Sequence, residues 1–225
     1  MRRIFILIIF GLPIILMGQF GIRANYSKLN YPGINKVYAT SNEVVLNPQF
    51  EAGIDYWFRL KEKRLEFMPE LAYNSSSSTI SEIDVKHTMF LFYFNAHVYP
   101  FDFAGDCNCP TFSKEGNSIK KGFFIHLAPV VGVSAKTYGA VVDTIQGTKD
   151  LTYGIRGGLG VDFGVSDIIT ITPIVSYAYL ASQDWSSLSK NASPTSEELT
   201  TNVSGLQAGI RLGLRFDYKG SKRRR

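Results

Sequence analysis

In the stretch LQAGIRLGLR (Leu206–Arg215), every even position is apolar and every odd position is polar, charged or glycine. Successive side chains of a β-strand point to opposite faces, so this alternation predicts a strand with one apolar and one polar face. The same period of two recurs along the chain. It predicts eight strands, at residues 19–29, 49–60, 64–74, 85–99, 122–135, 151–163, 168–181 and 204–218.

The predicted strands are long, and their connections alternate in length. A tilted strand needs about 9–11 residues to cross a bilayer, and these segments reach or exceed that length, whereas strands of soluble sandwiches usually have about five or six. Tight turns at Lys61–Lys63 and Gly164–Asp167 alternate with long polar loops, at Asn30–Pro48, Ser75–Asp84, Lys136–Asp150 and Ser182–Val203. This pattern predicts an all-β fold, an eight-stranded antiparallel up-and-down transmembrane β-barrel over residues 19–218, with both termini in the periplasm.

One connection departs from the pattern. Pro100–Lys121 is a long insert on the short-turn side and contains Cys107-Asn108-Cys109. We expect it to lie in the periplasm. Pro69, Pro129 and Pro173 are also unexpected, because a closed barrel has no edge strand to accept proline, and a shared bulge is the explanation we expect.

The polar face distinguishes a membrane barrel from the competing soluble, lipocalin-like barrel. It combines arginines, carboxylates and glycines, with no lysine in the strand cores, whereas a solvated face would normally include lysines. Arginine with carboxylates suits a confined interior, since one guanidinium satisfies several acceptors. We predict a polar, side-chain-filled lumen with an ion-pair network, comprising Arg23, Glu51, Asp55, Arg59, Glu66, Glu70, Arg156, Asp162, Arg211, Arg215 and Asp217.

The ends of the chain explain its net charge of +5. Residues 1–18 combine Arg2 and Arg3 with an apolar run, which predicts a secretory signal peptide. Residues 219–225 form a basic C-terminal tail. Without these segments, 17 basic residues face 19 acidic ones, so no nucleic-acid partner is expected.

The cysteines and two histidines form a candidate metal site. If the strands on either side of the insert pair, His97 and His126 face each other inside the barrel near the periplasmic mouth. Together with Cys107 and Cys109 they supply four zinc-type ligands. The Cys-x-Cys spacing is tighter than the usual zinc pattern, and a disulfide or unlinked polar side chains are the alternatives. No other cofactor is expected.

Catalysis would require a base beside a nucleophile. His87 lies toward the long-loop end, near Ser75–Ser78 and Ser81 in the same predicted loop. A serine run in a loop is more often polar filler than a catalytic group. We therefore expect a non-enzymatic protein with no catalytic residue.

A family resemblance appears at Phe67-Met68-Pro69-Glu70-Leu71-Ala72-Tyr73. This segment resembles the proline-glutamate-leucine-x-tyrosine strand of PorT-type outer-membrane β-barrels of Bacteroidetes-like bacteria. Phe20–Asn25 and Tyr153–Leu159 are similar to the glycine-rich strands of that family. The resemblance implies an outer-membrane location and, for PorT itself, a role in type IX protein secretion. The insert departs from the plain short-turn pattern.

Three functions follow as expectations, in order of preference. The first is a structural or secretion-associated component of the envelope, with outer-membrane lipid and envelope or secretion-machinery proteins as partners. The second is a surface binding or adhesion protein that uses the long extracellular loops. The third is a lipid-modifying outer-membrane enzyme.

Overall fold

The computed structural model describes residues 19–38, 48–60, 63–80, 83–103, 118–139, 147–188 and 199–215. Within these ranges the strands are β1 (Gln19–Asn30), β2 (Gln49–Arg59), β3 (Leu65–Ile80), β4 (Ile83–Val98), β5 (Phe123–Tyr138), β6 (Thr148–Val161), β7 (Phe163–Gly164), β8 (Ile169–Asp184) and β9 (Thr200–Arg215). Two short helices accompany them, α1 (Pro32–Tyr38) and α2 (Ser118–Gly122). The predicted signal peptide, Cys107, Cys109, Asp217 and the basic tail lie outside the described residues.

The strands form one closed antiparallel sheet. Their order is β6-β5-β4-β3-β2-β1-β9-β8-β7, and β6 also pairs with β8, which closes the ring. The two-residue strand β7 follows β6 and pairs with the same neighbour. The eight long strands of the described residues therefore make an up-and-down barrel, and the predicted fold is confirmed.

The barrel has two unlike ends. At the terminal end, where β1 begins and β9 ends, the predicted strand limits agree with the structure to within a few residues. At the opposite loop end the predicted limits of β1 and β2 also agree, but those of the other six long strands are wrong. The supposed loop Ser75–Asp84 is mostly strand, since β3 continues to Ile80 and β4 begins at Ile83. Strands β5, β6, β8 and β9 are likewise extended at this end by about three or four residues.

Each of the three prolines lies where strand pairing is interrupted. The β2–β3 ladder skips the pairs between Asp55↔Glu70 and Phe58↔Phe67, which brackets Pro69. The β4–β5 ladder skips in the same way around Pro129, and the β6–β8 pairing ends beside Pro173. Proline lacks an N–H to donate to the ladder. The register is unchanged across the first two gaps, so the expectation of a bulge is wrong at Pro69 and Pro129. At these two positions the ladder lacks a hydrogen bond but contains no extra residue.

The outer face of the barrel is an apolar belt. One continuous row of paired residues illustrates it, Ile22–Ile54–Leu71–Phe92–Val131–Tyr153. Many of these side chains are largely exposed; Phe50 and Phe90, for example, expose 67% and 66% of their surface. On β5 the outward apolar residues run from Phe123 to Ala135, which corresponds to about 30 Å along the barrel axis for a typical strand tilt. In the described ranges no helix has the length and apolar character needed to cross a membrane.

The outer face of the wall changes from apolar to polar at the loop end. Beyond the belt, outward positions are polar, beginning with Lys28, Ser75, Thr88, Thr137, Lys149 and Ser204. Inward positions are mixed there: Leu29, Ile83, Val85 and Val203 are buried in one hydrophobic cluster. Polar residues are buried beside it, namely Ser76, Lys136, Gln183 and Thr201. The barrel is thus apolar outside and charged inside along the belt, whereas beyond the belt it is polar outside and has a mixed apolar and polar interior.

Candidate functional site

Strand alternation places six charged side chains of the predicted network inside the barrel. Each is at most 6% exposed, and they come from five strands; they are Arg23, Glu51, Asp55, Glu70, Arg156 and Arg211. Burying isolated charges is costly, so such groups require direct partners. The structure provides a partner for each of them.

Arg156 connects opposite walls of the lumen. Its Nη1 lies 2.9 Å from Glu51 Oε1, and its Nη2 lies 3.1 Å from Glu70 Oε2. The guanidinium also lies over the ring of Tyr93, 3.7 Å from its centroid. Arg23 reaches the same Glu70 oxygen at 3.1 Å. One carboxylate therefore bridges two arginines.

Asn95 is the neutral centre of this group, and the sequence reasoning missed it. Its amide Nδ2 donates to Glu70 at 2.7 Å, and its Oδ1 accepts from Arg23 and Arg156 at 3.2 and 3.0 Å. His126 Nε2 lies 2.9 Å from the same oxygen. Asn95 is buried on the inward face of β4, directly opposite Met68 of β3. The alternation of apolar and polar side chains along residues 85–99 places Asn95 on the inward face, and this signal could have revealed it.

A second pair lies closer to the terminal end. Arg211 donates to Asp55 through Nε at 2.7 Å and through Nη2 at 2.5 Å, a bidentate geometry that is strong and specific. Gly21 and Gly53 leave the space that the network occupies. A Cβ on Gly21 would overlap the Arg211 guanidinium and the Asp55 carboxylate, and one on Gly53 would overlap the Glu70 carboxylate.

The terminal mouth of the barrel holds a separate polar cluster around Arg64, a residue that the sequence reasoning also missed, although it predicted Glu66 and Asp162. Arg64 pairs with Asp102 at 2.5 Å and with Glu66 at 3.3 Å, and it lies 3.8 Å over the ring of Tyr99. The Tyr99 hydroxyl donates to Glu66 at 3.1 Å and to Asp162. Burial, reinforced by the Asp162 and Glu66 carboxylates, raises the pKa of Tyr99 well above its ordinary value, so Tyr99 stays a neutral donor.

This cluster anchors the first residues of the insert to the barrel. Arg64 also donates to the backbone carbonyl of Lys121, and its own N–H donates to Phe103 O at 2.9 Å. Both ends of the insert are thereby tied to the turn before β3. A cavity of about 40 Å³ beside Arg64 and Tyr99 is large enough for roughly one water molecule.

Two further described residues of the predicted network, Arg59 and Arg215, lie at the same mouth. Arg59 and Arg215 are half-buried, and the Arg215 guanidinium lies 5.3 Å from the centroid of the Trp57 ring. Trp57 in turn donates to Glu66 at 2.7 Å. The described residues of the predicted network therefore divide between a central group and a terminal cluster, and Asp217 lies outside the described residues.

The two histidines of the candidate metal site are direct partners across β4 and β5, as expected if the strands on either side of the insert pair. Both are buried, and their ring centroids are 5.1 Å apart. The His97 ring stacks on Phe124 at 3.9 Å. In the part of the chain that the structure describes, no group of three or more His, Cys, Asp or Glu side chains is placed to hold a metal ion. Because Cys107 and Cys109 lie outside that part, the zinc site stays a prediction.

His87, the candidate base, lies in a buried cap at the loop end. Its Nε2 is 2.9 Å from Ser134 Oγ, and its Nδ1 is 3.2 Å from the Tyr31 hydroxyl. The expected serine run is strand, and of its residues Ser76 faces His87 across the β3–β4 pair. The hydroxyl groups that contact the His87 ring thus come from residues that the sequence reasoning did not select.

The cap is built on aromatic and aliphatic packing. Trp185 is buried against both Tyr31 and His87, with centroid distances of 5.7 and 5.3 Å. Lys136, ion-paired with Asp150, lies 5.0 Å from the centroid of the Trp185 ring. Helix α1 is fixed to β9 because Gly33 N–H donates to Thr201 Oγ1 at 3.0 Å. The cap therefore fills the loop end of the lumen, as the ion pairs fill its middle.

Among known proteins, the chain is similar to barrels whose structures have been solved. No protein-family model and no curated protein matches the chain. Neisserial surface protein A is 12% identical, with a TM-score of 0.47 over 86% of this chain and 96% of that one. Ail, the attachment invasion locus protein of Yersinia pestis, solved with the heparin analogue sucrose octasulfate, is 10% identical, with a TM-score of 0.46 over 88% of this chain and 99% of that one. The N-terminal β-barrel domain of Pseudomonas aeruginosa OprF is 10% identical, with a TM-score of 0.35 over 88% and 99%.

Proposed function

We propose that the protein is an integral outer-membrane barrel that acts without catalysis, through its surfaces and not through its lumen. The observation that carries this proposal is the apolar outward belt around buried charges, which gives way to polar outward residues at the loop end. A soluble barrel keeps its apolar face inside throughout, whereas here the belt turns apolar side chains outward and buries charges. Lipid around the belt and water around the loop-end extension would solvate both regions.

The filled lumen argues against transport through the barrel. Arg156, Arg23 and Glu70 join opposite walls at mid-height, and the cap around Trp185 packs the loop end. Eight-stranded barrels are in general just wide enough for side chains to fill them. The lumen charges therefore act as a core that fixes the barrel shape.

The absence of catalysis is part of the proposal. His87 has ring-nitrogen partners in Ser134 and Tyr31, but all three are buried, with at most 2% of each exposed. A lipid or polymer substrate has to reach the nucleophile and its base. This trio is better suited to packing α1 onto the barrel.

As the specific role, we propose a structural or secretion-associated component of the envelope, with both termini in the periplasm. The resemblance of Phe67–Tyr73 to PorT-type barrels supports it, together with the insert that the Arg64 cluster fixes at the terminal mouth. Phe101, in that insert, exposes 68% of its surface. An anchored, exposed aromatic segment is suited to contact another envelope protein.

A surface-binding role is the second candidate, and the loop-end extension favours it. Strands β3 and β4 continue beyond the last apolar outward pair, Tyr73↔Phe90, to the pair Ile80↔Ile83. This places a rigid hairpin with polar outward residues above the belt.

Site-specific photo-crosslinking in native outer membranes separates the two roles. A photoreactive residue at Phe101 reports on the terminal mouth, and one at Ser77 reports on the loop-end hairpin. Crosslinks from position 101 to secretion-machinery subunits support the first role. Crosslinks confined to position 77, with secretion unaffected by deleting the chain, would reject it and support surface binding.

A further inference from the structure

The two margins of the apolar belt differ in chemistry. At the terminal end, outward residues remain apolar to the ends of the strands, as at Phe20, Phe58, Leu65, Val98, Phe123 and Leu214. At the loop end, the first polar outward residues of six strands are cations or bear hydroxyls. They are Lys28, Ser75, Thr88, Thr137, Lys149 and Ser204, and none of these six is a carboxylate.

Two lysines concentrate this charge on one wall. Lys86 on β4 and Lys149 on β6 are both exposed and flank strand β5. Lys86 pairs in register with Thr137, and Lys149 pairs with Ala135. The two lysines are therefore separated by two strand spacings across the sheet and by one step along it, a step being the two residues between successive outward side chains. Standard sheet spacings place their Cα atoms about 12 Å apart, within reach of one anionic group between them.

No other group in the described residues neutralises these lysines. Neither Lys86 nor Lys149 has an ion pair within the described part of the chain. Asp84 lies one step farther from the belt, where its carboxylate accepts a hydrogen bond from Thr79 at 2.7 Å. The hydroxyls of Thr88 and Thr137 are directed at the cross-strand carbonyls of Ala135 and Lys86, each at 3.4 Å. The two ammonium groups remain as donors for an anion.

The belt lies directly below these lysines. Phe90, Val133 and Leu151 form one paired row on the same three strands, one outward position below Lys149 and two below Lys86 toward the terminal end. An anion held by Lys86 and Lys149 would therefore sit at the headgroup level of lipids whose chains cover this row. Lysine side chains commonly extend along apolar surface to place the ammonium at such an interface.

A polar groove continues above. It encloses about 520 Å³ and is lined by Ser77, Thr79, Asp84, Lys86, Thr137 and Gly139, among others. A carboxylate in the groove disfavours a second phosphate there but accepts hydrogen bonds from sugar hydroxyls, as do the serine and threonine oxygens. The groove is therefore matched to a neutral, hydroxyl-rich part of a headgroup.

We propose that the loop-end margin on β4–β6 binds the phosphorylated sugar headgroup of an outer-leaflet lipid, with the phosphate between Lys86 and Lys149 and the sugar in the groove beside Asp84. This assignment rests on the proposed membrane location. It adds a preferred lipid and a side of the barrel on which that lipid binds.

The test uses the full-length protein in nanodiscs of phosphatidylcholine doped with lipid A, a phosphorylated sugar lipid. Native mass spectrometry measures the lipid A retained by each barrel. The double variant Lys86→Gln/Lys149→Gln is expected to retain lipid A about five-fold more weakly for each lysine removed. Lys28→Gln, which removes an equivalent margin lysine on β1, is the matched control and should leave retention unchanged.

Three results would overturn the site. They are an equal loss with Lys28→Gln, retention of phosphatidylglycerol equal to that of lipid A, or displacement of lipid A by millimolar inorganic phosphate. Co-flotation with phosphatidylcholine vesicles separates this failure from that of the proposed function. A chain that floats but shows no dependence on Lys86 and Lys149 refutes only the lipid site, whereas a chain that fails to float refutes both.

Discussion

Arg156 Nη2 lies 3.1 Å from Glu70 Oε2, although the two residues are 86 positions apart in the sequence and their strands lie on opposite walls of the lumen. Since Glu70 also pairs with Arg23, this contact joins β1, β3 and β6 at mid-height. It makes the ion-pair network the internal brace of the barrel.

Removing the central cation should be severely destabilising. Arg156→Met leaves Glu51 and Glu70 buried with one fewer partner, at an expected cost of about 3–5 kcal/mol. Urea unfolding of the barrel in vesicles, followed by tryptophan fluorescence, measures the change. Lys28→Met, an exposed charge removal, should change the free energy of unfolding by less than about 0.5 kcal/mol. Equal stabilities of the two variants would show that the network does not brace the barrel.

Two glycines provide a matched steric test. Gly53→Val places side-chain atoms where Glu70 lies, so it should cost at least about 1–3 kcal/mol and slow folding into vesicles. Gly157→Val adds the same atoms at an outward position, where the nearest heavy atom is 3.9 Å from the added Cβ. The heat-modifiable shift of the folded band on gels measures how much of each variant, Gly53→Val and Gly157→Val, is folded. A normal shift for Gly53→Val would indicate that the inward space is not needed.

The filled lumen predicts no stable pore. In planar bilayers the protein should give no steady openings, because ion pairs at mid-height and packed aromatic residues at the loop end obstruct the path. Large steady single-channel openings of the native chain would refute a plugged lumen. Arg156→Met serves as a comparison, since brief openings that appear only in this variant would locate the obstruction.

The cap predicts a local response to alkaline pH. Burial raises the pKa of Tyr31 above its ordinary value, against the hydrogen bond from Gln49. The neutral phenol is thus favoured in the folded state, and its contribution is fully present below the unfolded pKa of about 10. As pH rises above 10, the protection of α1 amides, measured as hydrogen exchange relative to the intrinsic base-catalysed rate at each pH, should fall. Tyr31→Phe should remove that fall in protection, and a variant whose protection falls as in the native chain would contradict the role of Tyr31.

The alternation of side chains made the barrel and its inward charges predictable from sequence, because a period of two fixes which face each residue occupies. The same rule failed at the loop end, where the outward face becomes polar. Ser75–Ser78 have the composition of a loop, but β4 pairs with them throughout. Asn95 and Arg64 were missed because their importance comes from partners that are distant in sequence, such as Glu70 and Asp102.

Membrane embedding, the central claim, is tested most directly by spin labels at Phe92 and Ser77, which face outward on β4 and β3. Power-saturation measurements in vesicles compare their accessibility to oxygen and to a water-soluble nickel complex. If lipid surrounds the belt, the label at position 92 is accessible to oxygen and shielded from nickel, and the label at position 77 shows the reverse. Equal, high accessibility of both labels to nickel would show that water surrounds the belt and would contradict membrane embedding.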